Sequence, residues 1–296
     1  VNHHAAAAGL VGETGMVFAP ISGTPHTDQC ALVGIDGTNG SARWTYPIPR
    51  DDCTIHSVAD PTIADYDGDG VEEVFVATTE EAIVGIDGHS GDVEFRHELT
   101  SYGYTRPIVT DLDGADGMEI VAVDAAGSVV VLRPDGTVVW ERPRSSHTWG
   151  QPAVADFDGD GQRELVVGLG EAGRLTMFEA DGEVAWNRTD VADDGAITWM
   201  VAGQADADTA AEVVVATSDG VVAMVDGRDG DVQWRRDLGT LAAVHAFGDG
   251  DGDGEAELYA VAADAELRSY TASDGSIEWT TTLTTEAVQM TPPPAL

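Results

Sequence analysis

The sequence contains no lysine and few basic residues of any kind. Its 14 positive side chains are all arginines, against 53 aspartates and glutamates, and the formal net charge of the 296 residues is −39. No basic stripe is available to meet phosphates, so nucleic acid is excluded as a direct partner.

This excess of negative charge also limits the solvent in which the chain can fold. At ordinary ionic strength the like charges would oppose a compact state. At molar salt the Debye length falls to about 3 Å, which screens them. We therefore predict an extremely halophilic source, most simply an archaeon that balances osmotic pressure with salt. An acidic protein from a mesophile is the alternative, although it leaves the missing lysine unexplained.

Long hydrophobic runs and the common catalytic motifs are missing as well. No stretch approaches the length that crosses a bilayer, and none reads as a helix. There is no HExxH, no GxSxG and no Cys-His spacing that suggests a nucleophile. Residues 168–173 spell GxGxxG, but the following RLTMFEA indicates a strand, so no helix N-terminus can hold a pyrophosphate there. We predict a hairpin loop at this place and a protein that is not an enzyme.

An acidic loop is the most informative motif that is present. Residues 65–73 read DYDGDGVEE, the pattern recurs at 156–164 and 249–257, and each copy precedes a short apolar strand. Carboxylates at loop positions 1, 3, 5 and 9 can converge because the glycines let the backbone curl, and the carbonyl at position 7 can complete an all-oxygen shell. Such hard ligands favour Ca²⁺. No bidentate Glu follows at position 12 and no helix follows the loop, so it is not an EF-hand.

The predicted ligands are Asp65, Asp67, Asp69, Val71 and Glu73 in the first loop, Asp156, Asp158, Asp160, Gln162 and Glu164 in the second, and Asp249, Asp251, Asp253, Glu255 and Glu257 in the third. The alternative is a set of Asp-Gly hairpin turns in an acid-rich chain. Three complete copies in register favour the metal site.

Two further copies of the loop are degraded. In 111–119 position 5 is Ala115, although the neighbouring Asp116 can substitute, and in 204–212 the first carboxylate is replaced by Gln204. We expect both loops to bind more weakly or to be empty, which gives about three strong calcium sites and at most five. Their candidate ligands are Asp111, Asp113, Asp116 and Glu119, and Asp206, Asp208 and Glu212.

The loops mark an internal repeat. Loop position 1 falls at residues 65, 111, 156, 204 and 249, a period of 45 to 48 residues. A second signature, a glycine followed four positions later by an aromatic residue, occurs in phase at Gly40/Trp44, Gly91/Phe95, Gly136/Trp140, Gly182/Trp186, Gly230/Trp234 and Gly275/Trp279. Each unit also holds four short β runs, which predicts a propeller blade. The recurrent tryptophan is predicted to pack between neighbouring blades.

These motifs resemble two known repeat families. The DxDGDGxxE loops are similar to FG-GAP (VCBS-type) repeats, as in the calcium-bearing propellers of integrin α chains. The segments GIDGTNGSARW, GIDGHSGDVEF and VDGRDGDVQW resemble the tryptophan-docking repeats of PQQ-type quinoprotein propellers. The first resemblance implies that the loops join strands 1 and 2 of each blade on one face, which leaves the opposite face for partners. The second implies structure only, because no adjacent cysteine pair is present and six blades are counted where those enzymes have eight.

We therefore predict an all-β fold, a single six-bladed β-propeller of four-stranded antiparallel blades over residues 1–296. The chain starts within a blade, since GMVFAP at 15–20 aligns with the second strand EVFVAT at 73–78. At the other end, AVQMTPPPAL at 287–296 aligns with the first-strand segments. We expect residues 287–296 to pair with residues 15–20, which would close the ring and remove exposed edges.

Several features predict an extracellular or cell-surface address. The loops need calcium at levels that cytosol does not usually offer. Asn39 and Asn187 lie in glycosylation sequons. Cys30 and Cys53 fall in connections that emerge on the same face of the blade scheme, so we predict a disulfide; two unpaired thiols are the alternative. The chain begins at Val1, and we expect a mature or excised ectodomain whose signal and anchor lie outside it.

The connections that enter the first strand of each blade carry aromatic residues and arginine, the residue types that anchor interfaces. The predicted partner face consists of Tyr102, Tyr104, Arg106, His147, Trp149 and Trp199. The alternative is that Trp149 and Trp199 cap the central channel.

The function predicted from these features is a binding or structural module, active in adhesion or in the assembly of an envelope, layer or filament. Its expected partners are other surface or envelope proteins or glycans. The alternative is a quinoprotein-like or carbohydrate-active propeller enzyme that uses the central channel.

Overall fold

Short strands and turns make up the fold, and each group of four consecutive strands pairs into one sheet. The computed structural model describes residues 6–11, 14–23, 29–54, 56–66, 70–115, 117–144, 148, 150–169, 173–192, 195–206, 208–239 and 242–284. Within this part, six sheets each contain four consecutive antiparallel strands. This confirms the prediction of four-stranded antiparallel units.

Three sheets belong to the N-terminal half of the chain. The first sheet contains β1 (Ala7–Val11), β2 (Thr14–Ile21), β3 (Cys30–Asp36) and β4 (Ala42–Ile48). A 3-10 turn at Arg50–Asp52 leads to the second sheet, with β5 (Thr62–Ala64), β6 (Glu73–Thr78), β7 (Ala82–Asp87) and β8 (Val93–Glu98). The third sheet contains β9 (Ile108–Thr110), β10 (Glu119–Val123), β11 (Val129–Leu132) and β12 (Val138–Arg142).

The other three sheets follow in the C-terminal half. The fourth contains β13 (Ala153–Ala155), β14 (Glu164–Leu169), β15 (Arg174–Phe178) and β16 (Val184–Arg188). The fifth contains β17 (Ile197–Gly203), β18 (Glu212–Thr217), β19 (Val221–Asp226) and β20 (Val232–Asp237). The sixth contains β21 (Ala242–Gly248), β22 (Glu257–Ala262), β23 (Glu266–Thr271) and β24 (Ile277–Thr282). By compactness, β1 to β12 form one unit and β13 to β24 a second.

Burial differs along each sheet in a regular way. The second strands β6, β10, β14 and β18 are buried at every residue. Their valine-rich sequences suit this place, because both faces of these strands are covered. In the fourth strands β8, β12, β16 and β20, one aromatic residue alone is buried, as at Phe95 in β8. No helix among the described residues is long and apolar enough to span a membrane.

The first sheet differs from the prediction at its edge. β1 pairs with β2 over Ala7↔Phe18 to Val11↔Thr14, and β3 takes the other side of β2. The first strand of this sheet is therefore supplied by the N-terminal residues and not by residues 287–296, which lie outside the described residues. A hairpin between adjacent segments closes a much shorter loop than pairing between the two chain ends would, so its entropic cost is lower.

The predicted disulfide is present. Cys30 begins β3 and Cys53 follows the 3-10 turn, with an S–S distance of 2.07 Å and a Cα–Cα distance of 5.4 Å. The bridge spans a sequence separation of 23 residues. A crosslink of this length restricts the unfolded chain by about 3 kcal/mol on the entropy model.

The recurrent aromatic residue packs between sheets within each unit, as predicted. Three of the indoles donate their Nε1–H to a backbone carbonyl of the next hairpin: Trp44 to Gly88 at 2.9 Å, Trp186 to Gly227 at 2.7 Å and Trp234 to Ala272 at 2.7 Å. The ring lies on a left-handed glycine of that hairpin. A Cβ on Gly91, Gly230 or Gly275 would fall 2.5 to 2.9 Å from the nearest atom there. Glycine is therefore required on both steric and conformational grounds.

Arginine supplies a second link between the sheets that was not predicted. Arg236 stands two residues after Trp234 and donates to the carbonyls of Gly275 at 2.8 Å and Asp274 at 2.9 Å. Arg188 stands two residues after Trp186 and donates to the Asp231 carboxylate at 2.6 Å. The sequence signal that could have predicted this link is the recurrence of arginine, a scarce residue in this chain, two positions after a tryptophan.

Candidate metal centres

The five acidic loops share one hydrogen-bond pattern. In each, the backbone N–H at position 2 donates to Oε2 of the glutamate at position 9: Tyr66 to Glu73 (3.3 Å), Leu112 to Glu119 (2.9 Å), Phe157 to Glu164 (2.6 Å), Ala205 to Glu212 (2.6 Å) and Gly250 to Glu257 (2.7 Å). These glutamates begin the second strand of their sheets and are only 1 to 3% exposed. The strand thus fixes one carboxylate beneath each loop.

The loop at 249–257 brings together all four of its predicted carboxylates. One oxygen each of Asp249, Asp251, Asp253 and Glu257 lies within 4.8 Å of the others. Glu257 is 1% exposed, and its Oε1 is buried with no hydrogen-bond partner among the described residues. Burying a carboxylate oxygen without a donor or cation is costly, so this oxygen points to a positively charged ligand. The side chain of Glu255 is exposed and lies outside the group.

The loop at 156–164 brings together three of its four carboxylates. Oxygens of Asp156, Asp158 and Glu164 lie within 4.8 Å of one another. Asp160 is not in this group; it accepts the backbone N–H of Gln162 at 2.8 Å and its side-chain amide at 3.1 Å. Asp156 accepts the N–H groups of two loop residues with positive φ, Gly159 at 2.7 Å and Gly161 at 3.0 Å, which explains why these positions are glycine.

The first loop is described only in part, because Asp67 and Asp69 lie outside the described residues. Gly70 donates its N–H to Asp65 Oδ2 at 3.1 Å, the same bond that Gly254 makes to Asp249 in the complete loop. Val71 is half-buried and packs against the core of the first two sheets. The described part therefore follows the same pattern as the complete copies.

Both degraded loops still bring their remaining carboxylates together. Oxygens of Asp111, Asp113 and Glu119 lie within 4.8 Å of one another, and so do those of Asp206, Asp208 and Glu212. Asp116 lies outside the described residues, so its substitution for Ala115 stays a prediction.

The electrostatics of the loops also favour a cation. The pKa of Glu164 is raised to about 7, mainly by burial and in part by the nearby charges of Asp158, Glu179 and Asp156. Burial likewise raises the pKa of Glu212 to about 7, with Asp206 and Asp208 adding to the effect. A divalent ion would restore the charged form, because it offsets both desolvation and repulsion. The oxygen-only donor set fits Ca²⁺.

Part of the predicted partner face forms an aromatic cluster in the first unit, at the end of the second and third sheets away from the acidic loops. The rings of Tyr102 and Tyr104 lie 6.1 Å apart, and His56 packs edge-on to Tyr104 at 5.7 Å. Tyr102 is 46% exposed, and burial raises the pKa of Tyr104. The Gly103 N–H donates to the Thr78 carbonyl at 2.9 Å, so the backbone that carries the rings is held in place.

The other predicted partner residues are not part of this cluster as far as it is described. Trp199 lies inside β17 and packs, half-buried, against the core of the fifth and sixth sheets, so its assignment to a connection was wrong. β17 has seven residues where β5, β9 and β13 have three, which draws Trp199 into the sheet. Arg106 is half-buried. His147 and Trp149 lie outside the described residues.

Both sequon asparagines are exposed. Asn39 lies in the turn between β3 and β4, where its Oδ1 accepts the Ser41 N–H at 2.8 Å, and Asn187 lies on the outer strand β16. Their glycosylation stays a prediction.

Comparison with known proteins agrees with this fold. The crystal structure of BamB from Moraxella catarrhalis has a TM-score of 0.59 and 15% identity, over 89% of this chain and 74% of that chain. Sqt1 of Saccharomyces cerevisiae has a TM-score of 0.65 and 12% identity, over 93% and 81%. A europium-containing methanol dehydrogenase has a TM-score of 0.61 and 12% identity, over 95% and 72%. At these identities the likeness shows a β-propeller fold and no more.

A family model gives the sequence relationship. No curated protein matches the chain. The model described as "Outer membrane protein assembly factor BamB" matches residues 66–192, 111–253 and 218–295, which together cover most of the sequence. The matched segments contain five of the six glycine and aromatic repeats, from Gly91/Phe95 to Gly275/Trp279. The chain therefore belongs to the BamB family of PQQ-like β-propeller repeats.

Proposed function

We propose that this protein is a calcium-stabilised β-propeller that serves as a binding or structural module at the surface of a haloarchaeal cell. In this account it acts in adhesion or in the assembly of an envelope or filament, with surface proteins or glycans as partners. The relationship to an assembly factor supports a role in binding rather than in chemistry. The net charge of −39 without lysine supports the halophilic source.

We propose calcium as the ligand of the complete loops mainly because of the loop at 249–257. Its four carboxylates would repel one another without a cation, and the buried Oε1 of Glu257 has no other partner among the described residues. The common hydrogen-bond pattern extends this reasoning to the loops at 65–73 and 156–164. In this account calcium is structural, because each loop joins the first and second strands of a sheet.

Partner binding is proposed for the aromatic cluster of His56, Tyr102 and Tyr104. Tyrosine presents a large contact area at a low cost in side-chain entropy, and it is enriched at interface hot spots. The exposed ring of Tyr102 rests on Tyr104, whose backbone neighbours are held by hydrogen bonds. Such a preorganised surface loses little freedom on binding.

The partner proposal predicts that the double variant Tyr102→Ala/Tyr104→Ala loses surface association. Immobilised protein would be incubated with a haloarchaeal envelope fraction at molar salt, and the retained proteins and glycans would be quantified by mass spectrometry. We expect retention to fall by at least about 10-fold, because two hot-spot side chains are removed. Val93→Ala is the matched control, since Val93 is 47% exposed on an outer strand. Equal retention by a folded double variant would show that this cluster is not the interface.

The alternative function is a quinoprotein-like enzyme, which we consider because the fold is similar to that of a methanol dehydrogenase. A bound quinone absorbs in the near ultraviolet and visible, whereas calcium does not. In the proposed account the protein purified from its native source shows protein absorbance alone. A stoichiometric chromophore would favour the enzyme.

A further inference from the structure

The degraded loop at 204–212 differs from the complete loops in its charged groups. The loop keeps the common fold, since Ala205 donates its N–H to Glu212 at 2.6 Å and the oxygens of Asp206, Asp208 and Glu212 lie within 4.8 Å of one another. Position 1 is neutral Gln204, whose side-chain amide donates to the backbone carbonyl of Asp208. The first side chain thus holds the loop by a hydrogen bond and not as an anionic ligand.

A guanidinium reaches this carboxylate group from the neighbouring hairpin. Arg228 lies between β19 and β20, and its Nη1 is 2.5 Å from Asp208 Oδ2. The Arg228 and Asp208 side chains are 45% and 32% exposed, so the pair lies at the surface of the loop. At the equivalent hairpin position, the sheets with the complete loops 65–73 and 249–257 carry His89 and Ser273. Arginine therefore coincides with the loop that has lost its first carboxylate.

The two changes in this sheet balance in charge. Loop positions 1, 3, 5 and 9 of a complete loop hold four carboxylates, so a bound Ca²⁺ leaves these four positions with a charge of −2. The same positions of the loop at 204–212 hold three carboxylates, and Arg228 leaves them with the same charge of −2. Replacing Asp with Gln204 and adding one arginine together have the electrostatic effect of one divalent ion.

We propose that Arg228 takes the place of the metal ion in the loop 204–212, so that this loop is closed by the protein's own cation and takes up no calcium. The inference rests on the proposed calcium sites in the complete loops. In this proposal the loop between β17 and β18 needs no metal, whereas the complete loops of the same protein depend on calcium. The guanidinium is permanently charged and is covalently part of the chain, so it stays at the loop when calcium is scarce.

The number of calcium ions bound by the wild type and by three variants tests the role of Arg228. Wild type, Asp206→Ala, Asp158→Ala and the double variant Gln204→Asp/Arg228→Ser would be dialysed to equilibrium against calcium at molar salt, and bound calcium measured by atomic emission. Asp206→Ala is expected to bind as many ions as wild type. The double variant, which restores the first carboxylate and carries the serine found in the sixth sheet, is expected to gain about one ion per chain.

Asp158→Ala is the positive control, since it removes a ligand from a complete loop and is expected to lose about one ion. Loss of an ion in Asp206→Ala would overturn the role of Arg228 while leaving the calcium proposal intact. A folded double variant that gains no ion would also overturn it. A wild-type chain without calcium would overturn both proposals.

Discussion

Removal of calcium at constant molar salt is expected to lower the melting temperature by about 10 to 30 °C. With a Kd of about 0.1 to 1 mM, as in extracellular modules, and about 10 mM free calcium, each complete loop adds roughly 1.4 to 2.7 kcal/mol. Three independent loops would add about 4 to 8 kcal/mol, which is comparable with the whole stability of an ordinary domain. Differential scanning calorimetry with and without a chelator measures the shift.

Two substitutions in one loop separate metal binding from general charge effects. Glu257→Gln removes the buried carboxylate at the centre of the loop 249–257, whereas Glu255→Gln makes the same charge change at an exposed side chain outside the group. We expect the first variant to lose part of the calcium-dependent stabilisation and the second to keep it. An unchanged melting temperature of the wild type after complete calcium removal would refute the structural role.

Trp234→Ala is expected to destabilise the protein by about 3 to 5 kcal/mol. Its indole is buried between two sheets, stacks on Tyr270 with ring centroids 6.2 Å apart and donates to the Ala272 carbonyl. Truncation leaves a cavity and an unpaired carbonyl, and it removes the surface on which Arg236 rests. Urea denaturation at constant salt and calcium measures the loss. Trp234→Phe keeps an aromatic ring and should cost less.

The repeat unit could be predicted from the sequence because local rules determine it. Glycines such as Gly159 and Gly161 stand where the loop needs positive φ, and the glutamate that follows, Glu164, begins a buried strand. The disulfide also followed from the repeat, since both cysteines fall in connections at the same end. The repeat period and the glycines of the turns were therefore enough to predict the four-stranded sheets and the positions of the acidic loops.

Features that depend on contacts between distant segments were harder to predict. The N-terminal strand AAGLV gives a weak β signal, so its pairing with β2 was missed. Asp160 fits the ligand pattern, yet its carboxylate accepts hydrogen bonds from Gln162 and lies outside the group formed by Asp156, Asp158 and Glu164. The pair between Arg228 and Asp208 joins residues 20 positions apart. The pair is seen only in the structure, where the hairpin between β19 and β20 lies beside the loop 204–212.

Anomalous scattering from crystals grown in calcium would locate the bound ions. We expect a calcium peak inside each complete loop, at 65–73, 156–164 and 249–257, with Glu257 Oε1 among the ligands of the last. We expect no peak beside Arg228. A well-ordered loop at 249–257 without a calcium peak at millimolar calcium would show that these loops are not calcium sites.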